Sequence, residues 1–198
     1  LFLVAIFCIL IHLGVFYIVL FAIVCLCFYE WCRINYKYFR DHTHIHSWKY
    51  FFIKLIGFIY LFSFYICAVA LRGDSFESAI FFIIILCICI CSDIGGYIFG
   101  KSIGGKRLTK ISPNKTIAGS IGSFIFSILP VFLFYFQNYI GISFDFSQKN
   151  ILLCLMISLI CQLGDLLISY FKRLNKVKDT GTILPGHGGL LDRIDGII

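Results

Sequence analysis

Five polar residues, Ser158, Gln162, Asp165, Ser169 and Lys172, follow one another at intervals of 4, 3, 4 and 3 through the otherwise apolar run ILLCLMISLICQLGDLLISYFKR. On a helix that spacing lines them along one face. Asp165 precedes Lys172 by seven residues, about 10 Å along the axis at 1.5 Å per residue. A carboxylate set that far into an apolar helix must take up a proton or find a cation. A metal ion or a charged substrate suits it better than a helix–helix hydrogen bond, because of the segment that comes next.

That segment is KRLNKVKDTGTILPGHGGLLDRID. Lys172, Arg173, Lys176, Lys178 and Asp179 lead into a glycine-rich turn, Pro185-Gly186-His187-Gly188-Gly189, followed by Asp192, Arg193 and Asp195. Glycines such as Gly188 and Gly189 can aim successive N–H groups at one anion. Asp192 and Asp195 are three apart and share a face. Carboxylates among phosphate-binding cations suit Mg²⁺, which takes one or two protein carboxylates and completes its shell with phosphate oxygens and water. A second unusual stretch, SDIGGYIFGKSIGGKRLTKISPNKT, starts at Asp93 and ends in Lys115 and Thr116. Gly100 to Lys106 begins like a phosphate loop, but Arg107 stands where Ser or Thr would bind Mg²⁺ and an apolar run precedes it, so the motif is rejected. What is left is a cationic loop able to hold a polyphosphate. His42, His44 and His46 alternate in another basic loop without a fourth ligand and are expected to be solvated.

The elements that position these groups must be membrane helices. Of the 198 residues 60% are hydrophobic and 14% charged, against about 25% charged in an ordinary soluble domain. Such a composition argues against a disordered chain, a disulfide-stapled secreted module and a nucleic-acid-binding domain. A spanning helix needs about 20 apolar residues. The apolar runs predict spans near 15–30, 51–70, 76–92, 117–136 and 151–170, with the tail of an earlier helix before residue 15 and another starting near Ile194. The expected fold is all-α, a polytopic membrane helix bundle of about five complete spans plus truncated terminal spans. It is taken as one membrane-embedded domain over 1–198, trimmed at both ends. Segments 31–50, 100–116 and 171–193 carry 14 of the 17 Lys and Arg residues and are separated by two spans each, so they share one face. The positive-inside rule makes that face cytoplasmic. The ten cysteines fall within or beside apolar runs and form no CxxC pair, which suits inert apolar fillers.

The run Ser169-Tyr170-Phe171-Lys172-Arg173, then Lys178-Asp179-Thr180-Gly181, then Leu184-Pro185-Gly186-His187-Gly188-Gly189-Leu190-Leu191-Asp192-Arg193-Ile194-Asp195 resembles the signature of the phosphatidate cytidylyltransferase (CDP-diacylglycerol synthase) family, bacterial type. Asp93, Tyr97, Gly100 and the ISPNKT run are similar to that family's upstream motif, and Glu30-Trp31 to an EW pair after an early span. Two positions depart from the pattern: Ile168 stands where members often carry Glu, and Ala118 where many carry Glu or Gln.

The resemblance implies a reaction that joins CTP to phosphatidic acid, giving CDP-diacylglycerol and pyrophosphate at the cytoplasmic side of the cell (inner) membrane. It implies a Mg²⁺ site built from Asp165 and Asp192, with room for a second metal ion and completed or oriented by Asp179 and Asp195. Lys172, Arg173, Lys178 and Arg193 are expected to hold phosphates, and His187 to donate to a phosphate oxygen. Asp93, Lys115, Thr116, Ser169, Gly188 and Gly189 are expected to contact substrate. The implied partners are CTP, phosphatidic acid and the lipid bilayer, with no nucleic acid and with a homodimer left open. Three alternatives remain open: a CTP-dependent polyprenol or phytol-type lipid kinase, an ion-coupled membrane transporter, and, because of Ile168, a catalytically silent relative.

Overall fold

The computed structural model describes residues 12–41, 47–109, 112, 115–135, 146–177, 179–181 and 188–197. Its helices are α1 (Leu13–Asp41), α2 (Ser47–Arg72), α3 (Phe76–Ser102), α4 (Ile117–Ser127), α5 (Leu129–Tyr135), α6 (Gln148–Leu174) and the single turn α7 (Leu191–Ile194). Among the described residues there is no strand; Arg107 and Thr116 form an isolated antiparallel bridge. Stretches of 24 to 27 residues in α1, α2, α3 and α6 are long and apolar enough to cross a membrane. Along α2 the side chains of Phe51, Phe52, Ile59 and Ile66 are exposed, an apolar surface that water would penalise and lipid would not. The chain is a polytopic all-α membrane protein.

Two of the predicted boundaries move. The run 117–136, expected as one span, is divided into α4 and α5 by a turn at Ile128, whose N–H bonds to Ile125 O at 3.3 Å. Pro130 has no N–H to continue the α-helical ladder, and it is tolerated only because it falls in the first turn of the new helix. The third helix runs ten residues past its predicted end at Ser92, to Ser102. Its extra turns carry Gly95, Gly96 and Gly100, and these form a packing surface rather than a helix stop.

The residues cluster into two compact units, one mainly Leu1–Ala79 with Tyr170–Gly196, the other mainly Ile80–Ser169. In the first, α1 and α2 are joined by Trp31, whose Nε1 donates to Ile53 O at 3.0 Å. The Trp31 ring also meets Phe171 edge-on, with centroids 4.5 Å apart. The last turn of α6 closes with Lys176 at φ 52°, its N–H bonded to Arg173 O (3.1 Å) and the Val177 N–H to Lys172 O (3.0 Å). This is the paired-bond C-cap that satisfies the final carbonyls, with lysine where glycine is usual.

In the second unit Ile80, Ile84, Ile88, Val131 and Cys154 make a buried apolar cluster. Further along, α3 and α4 cross through small residues: a Cβ on Gly95 would lie 2.5 Å from Gly122 O, and one on Gly122 2.7 Å from Gly95 O. Close backbone approach through small residues is how membrane helices associate when no hydrophobic effect drives them together. Buried Ser92 and Ser158 share a hydrogen bond of 2.7 Å between α3 and α6. Gln162 donates to Ser158 at 3.3 Å and accepts from Ser120 of α4. Cys89 and Cys161 are in contact as free thiols, Sγ to Sγ 3.1 Å.

Candidate active site

The polar stripe predicted along α6 is present; Ser158, Gln162, Asp165 and Ser169 find their partners within the second unit, and Lys172 finds its own within the first. Below Ser158 and Gln162, Asp165 forms an ion pair with Lys115 and accepts from Ser169 Oγ at 3.3 Å. Asp93 lies within electrostatic reach of both Asp165 and Lys115. Lys115 is held by main-chain pairing across the basic loop: the Leu108 N–H donates to Lys115 O (2.8 Å) and the Ile117 N–H to Lys106 O (3.0 Å). Next to it Thr116 caps α4, its hydroxyl accepting from the Gly119 N–H at 3.0 Å, the usual work of an N-cap threonine. The cation that meets Asp165 in the structure is a side chain fifty positions earlier in the chain, Lys115. Two carboxylates near one ammonium form a hard-oxygen cluster in which acidic groups outnumber the cation.

A second carboxylate–lysine pair occupies the first unit. Lys172 Nζ donates to Asp192 Oδ1 at 2.8 Å and lies 4.0 Å from Asp195 Oδ2. Asp192 Oδ2 accepts from the Thr180 N–H (2.7 Å) and the Gly189 N–H (3.2 Å). Burial alone would raise the pKa of Asp192. The Lys172 ammonium and the Thr180 N–H outweigh it, holding the carboxyl below the ordinary carboxylate value. Gly188 adopts φ 84°, and a Cβ there would sit 3.5 Å from Asp192 Oδ2. Asp179, Arg173 and Arg193 are exposed. Lys178, Pro185, Gly186 and His187, like His42, His44 and His46, lie outside the described residues.

The structure therefore gathers Asp93, Lys115, Asp165 and Ser169 in one cluster, with Thr116 capping the helix beside it. It gathers Lys172, Asp192, Asp195, Gly188 and Gly189 in another. Spacing alone did not reveal Glu30. Its carboxylate is fully buried (0% exposed) and accepts from Leu190 N–H (3.0 Å), Leu191 N–H (2.9 Å) and Thr180 Oγ1 (3.2 Å). The resemblance marks Glu30 only as half of an EW pair without a role; a second signal is an acidic residue at the end of a long apolar run in a chain with ten acidic residues. Asn35 and Asn175 were also missed; Asn175 Nδ2 donates to Asn35 Oδ1 at 3.2 Å and ties the end of α6 to α1. Ile168, where family members often have Glu, is buried at 1% exposure.

Residues 43–198 match the model of the cytidylyltransferase family. The phosphatidate cytidylyltransferase of Staphylococcus haemolyticus (strain JCSC1435) is 40% identical over 149 residues, which cover 72% of this chain and 50% of that relative. That of Staphylococcus aureus (strain COL) is 47% identical over 112 residues, 54% of this chain and 40% of the relative. That of Bacillus subtilis (strain 168) is 40% identical over 119 residues, 59% and 43% respectively. The chain spans half or less of the length of these curated relatives. With a family match that runs unbroken through both carboxylate–lysine pairs, the chain belongs to the cytidylyltransferase family.

Proposed function

We propose that the protein to which this chain belongs transfers the cytidylyl group of CTP to phosphatidic acid, giving CDP-diacylglycerol and pyrophosphate for phospholipid synthesis. The observation that carries this reading is the folding of the signature. Lys172 and Asp192, 20 residues apart, are brought together at 2.8 Å and held there by main-chain N–H groups. The match to the cytidylyltransferase family model, over residues 43–198, includes this stretch. By the charge distribution the reaction lies on the cytoplasmic side of the cell membrane, where phosphatidic acid enters from the bilayer with its acyl chains still in lipid.

In the step itself a phosphate oxygen of phosphatidic acid attacks the α-phosphorus of CTP. The bond from that phosphorus to the oxygen bridging to the β-phosphate breaks, and pyrophosphate departs with the electron pair. The lipid phosphate is already ionised at neutral pH, so no strong general base is needed. The main obstacle is repulsion between two polyanions. Lys172, Arg173, Lys178 and Arg193 gather the phosphates, arginine offering a bidentate fork. Lys115 and Thr116, with Asp93, contact the nucleotide, and His187 donates to a phosphate oxygen. Ser169, Gly188 and Gly189 set the position of the carboxylates and the turn. Positioning and charge neutralisation supply most of the acceleration.

The donor set suits Mg²⁺. Asp165 and Asp192 are hard oxygen donors that each already hold an ammonium in the structure. No group of three or more His, Cys, Asp or Glu forms a closed cage among the described residues. Mg²⁺ commonly takes only one or two protein carboxylates and completes its shell with substrate phosphates and water. Asp165 and Asp192 are proposed to hold it, as the signature implies, with Asp179 and Asp195 orienting. When bound, the ion supplies neutralisation of the charge that develops on pyrophosphate. The test is conversion of phosphatidic acid by the full-length protein in vesicles with CTP, with and without Mg²⁺. A CDP-headgroup lipid formed only with Mg²⁺ supports the reading; a phosphorylated polyprenol or phytol with release of CDP replaces it with a kinase. Solute flux across the vesicle without nucleotide turnover replaces it with a transporter.

A further inference from the structure

Glu30 has no part in the step just described, yet it is withdrawn completely from the surface. A carboxylate in such a place is tolerated only when its lone pairs are met by donors. Leu190 N–H reaches Oε1, and Leu191 N–H and the Thr180 hydroxyl reach Oε2. Carboxylate oxygens accept hydrogen bonds, and three donors converge on these two. All three lie 150 to 161 residues further along the chain, inside the signature.

The same two arms of the turn are bonded to Asp192, through the Thr180 and Gly189 N–H groups. Thr180 is thus bonded to Asp192 by its main chain and to Glu30 by its side chain. Across from it the N–H groups of Gly189, Leu190 and Leu191 divide between the same two carboxylates. The turn is shaped to this occupant: a Cβ on Gly181 would overlap the Glu30 carboxylate, and one on Gly189 would fall 2.7 Å from Oε2. Glu30 itself is fixed through its neighbour Trp31, bonded to Ile53 O and set against Phe171.

We propose that Glu30 is a positioning residue for cytidylyl transfer: its buried carboxylate clamps Thr180–Gly181 to Gly189–Leu191, and so fixes Asp192 against Lys172. The catalytic consequence rests on the function proposed above; the clamp does not. Glu30→Gln is nearly isosteric but replaces one acceptor oxygen with a donor. In either amide orientation a main-chain N–H then faces an NH₂ and loses its bond.

The experiment combines hydrogen exchange and steady-state kinetics on the full-length protein in lipid nanodiscs. In Glu30→Gln, amide exchange at Leu190 and Leu191 should quicken by at least about tenfold while α4 exchanges as in wild type. In the same variant kcat should fall by at least about 30-fold with the KM for CTP changed by less than about threefold. General loosening would instead raise exchange in α4 as well, and that result overturns the proposal. So does wild-type exchange at Leu190 and Leu191, or wild-type kcat. If Glu30→Gln does not insert, Thr180→Val deletes a single donor and decides in its place. The same pattern at smaller amplitude supports the clamp, and unchanged exchange and kcat reject it. A wild-type protein inactive with CTP and phosphatidic acid would remove the transfer reading and with it the catalytic half of the proposal, while the exchange comparison would still decide whether the clamp exists.

Discussion

The two carboxylate–lysine pairs use the same chemistry with different support. Asp192 is 11% exposed, its Lys172 partner 14%, and its second oxygen is fixed by two main-chain N–H groups. Asp165 is 30% exposed, its partner Lys115 26%, and the hydrogen bond it accepts comes from a side chain, Ser169. One carboxylate is therefore built into a main-chain turn, and the other hangs from a helix beside a small-residue crossing. A pair fixed by backbone is pre-organised but contributes to holding the turn together. A pair formed by two half-exposed side chains costs little to separate and can exchange its ammonium for another cation.

The largest effects expected are on activity and do not distinguish the pairs. Asp165→Asn and Asp192→Asn should each lower Mg²⁺-dependent CDP-lipid formation by about 10²–10³-fold, with membrane insertion retained. Asp74→Asn, at an exposed position before α3, should leave it near wild type. Near-normal turnover in Asp165→Asn would remove that residue from the site.

Stability separates them. Asp192→Asn leaves the mostly buried Lys172 with only the longer 4.0 Å pairing to Asp195 and should cost about 2–3 kcal/mol, at or below the lower edge of a broken buried pair. Asp165→Asn should cost under about 1 kcal/mol, as for a partly exposed pair. Thermal unfolding of the two variants in one detergent checks this, and equal losses would break the comparison.

The acid limb sharpens it. The folded-state pKa of Asp192 is lowered, so its stabilisation is complete above the unfolded value and lost as pH falls through the folded one. The unfolding-temperature gap between wild type and Asp192→Asn should be constant near neutrality and close below about pH 4. A gap that instead closes between pH 6 and 8 would show that another group supports the pair.

The smallest effect concerns the turn that leads from α6 into the signature. Lys176→Gly relieves a left-handed residue at φ 52° and should stabilise by about 1 kcal/mol. Unchanged unfolding would mean that Lys176 makes compensating contacts.

Much of this was legible in the sequence because helical periodicity is local. The intervals among Ser158, Gln162, Asp165 and Ser169 fixed a shared face before any partner was known, and lipid-compatible runs marked four of the spans. Partners are another matter. Nothing local to Asp165 names Lys115, since a main-chain bridge between Leu108 and Lys115 puts it there. Glu30 stood out only as half of an EW pair; its partners were hidden, because two of the three are backbone N–H groups, which carry no side-chain signature. The apolar run placed the end of the third span at Ser92, whereas tertiary contact with α4 makes Gly95 and Gly96, just beyond it, the interior of a crossing. Pro130 lies inside an apolar run whose hydropathy is blind to a missing N–H.

Cytidylyl transfer itself is tested most directly by the fate of two labels. Full-length protein would be given phosphatidic acid and Mg²⁺ with CTP carrying ³²P at either the α or the γ position. The account predicts α-label in the lipid and γ-label in pyrophosphate. The γ-label in lipid with CDP released, or no label in lipid from either nucleotide, would contradict it.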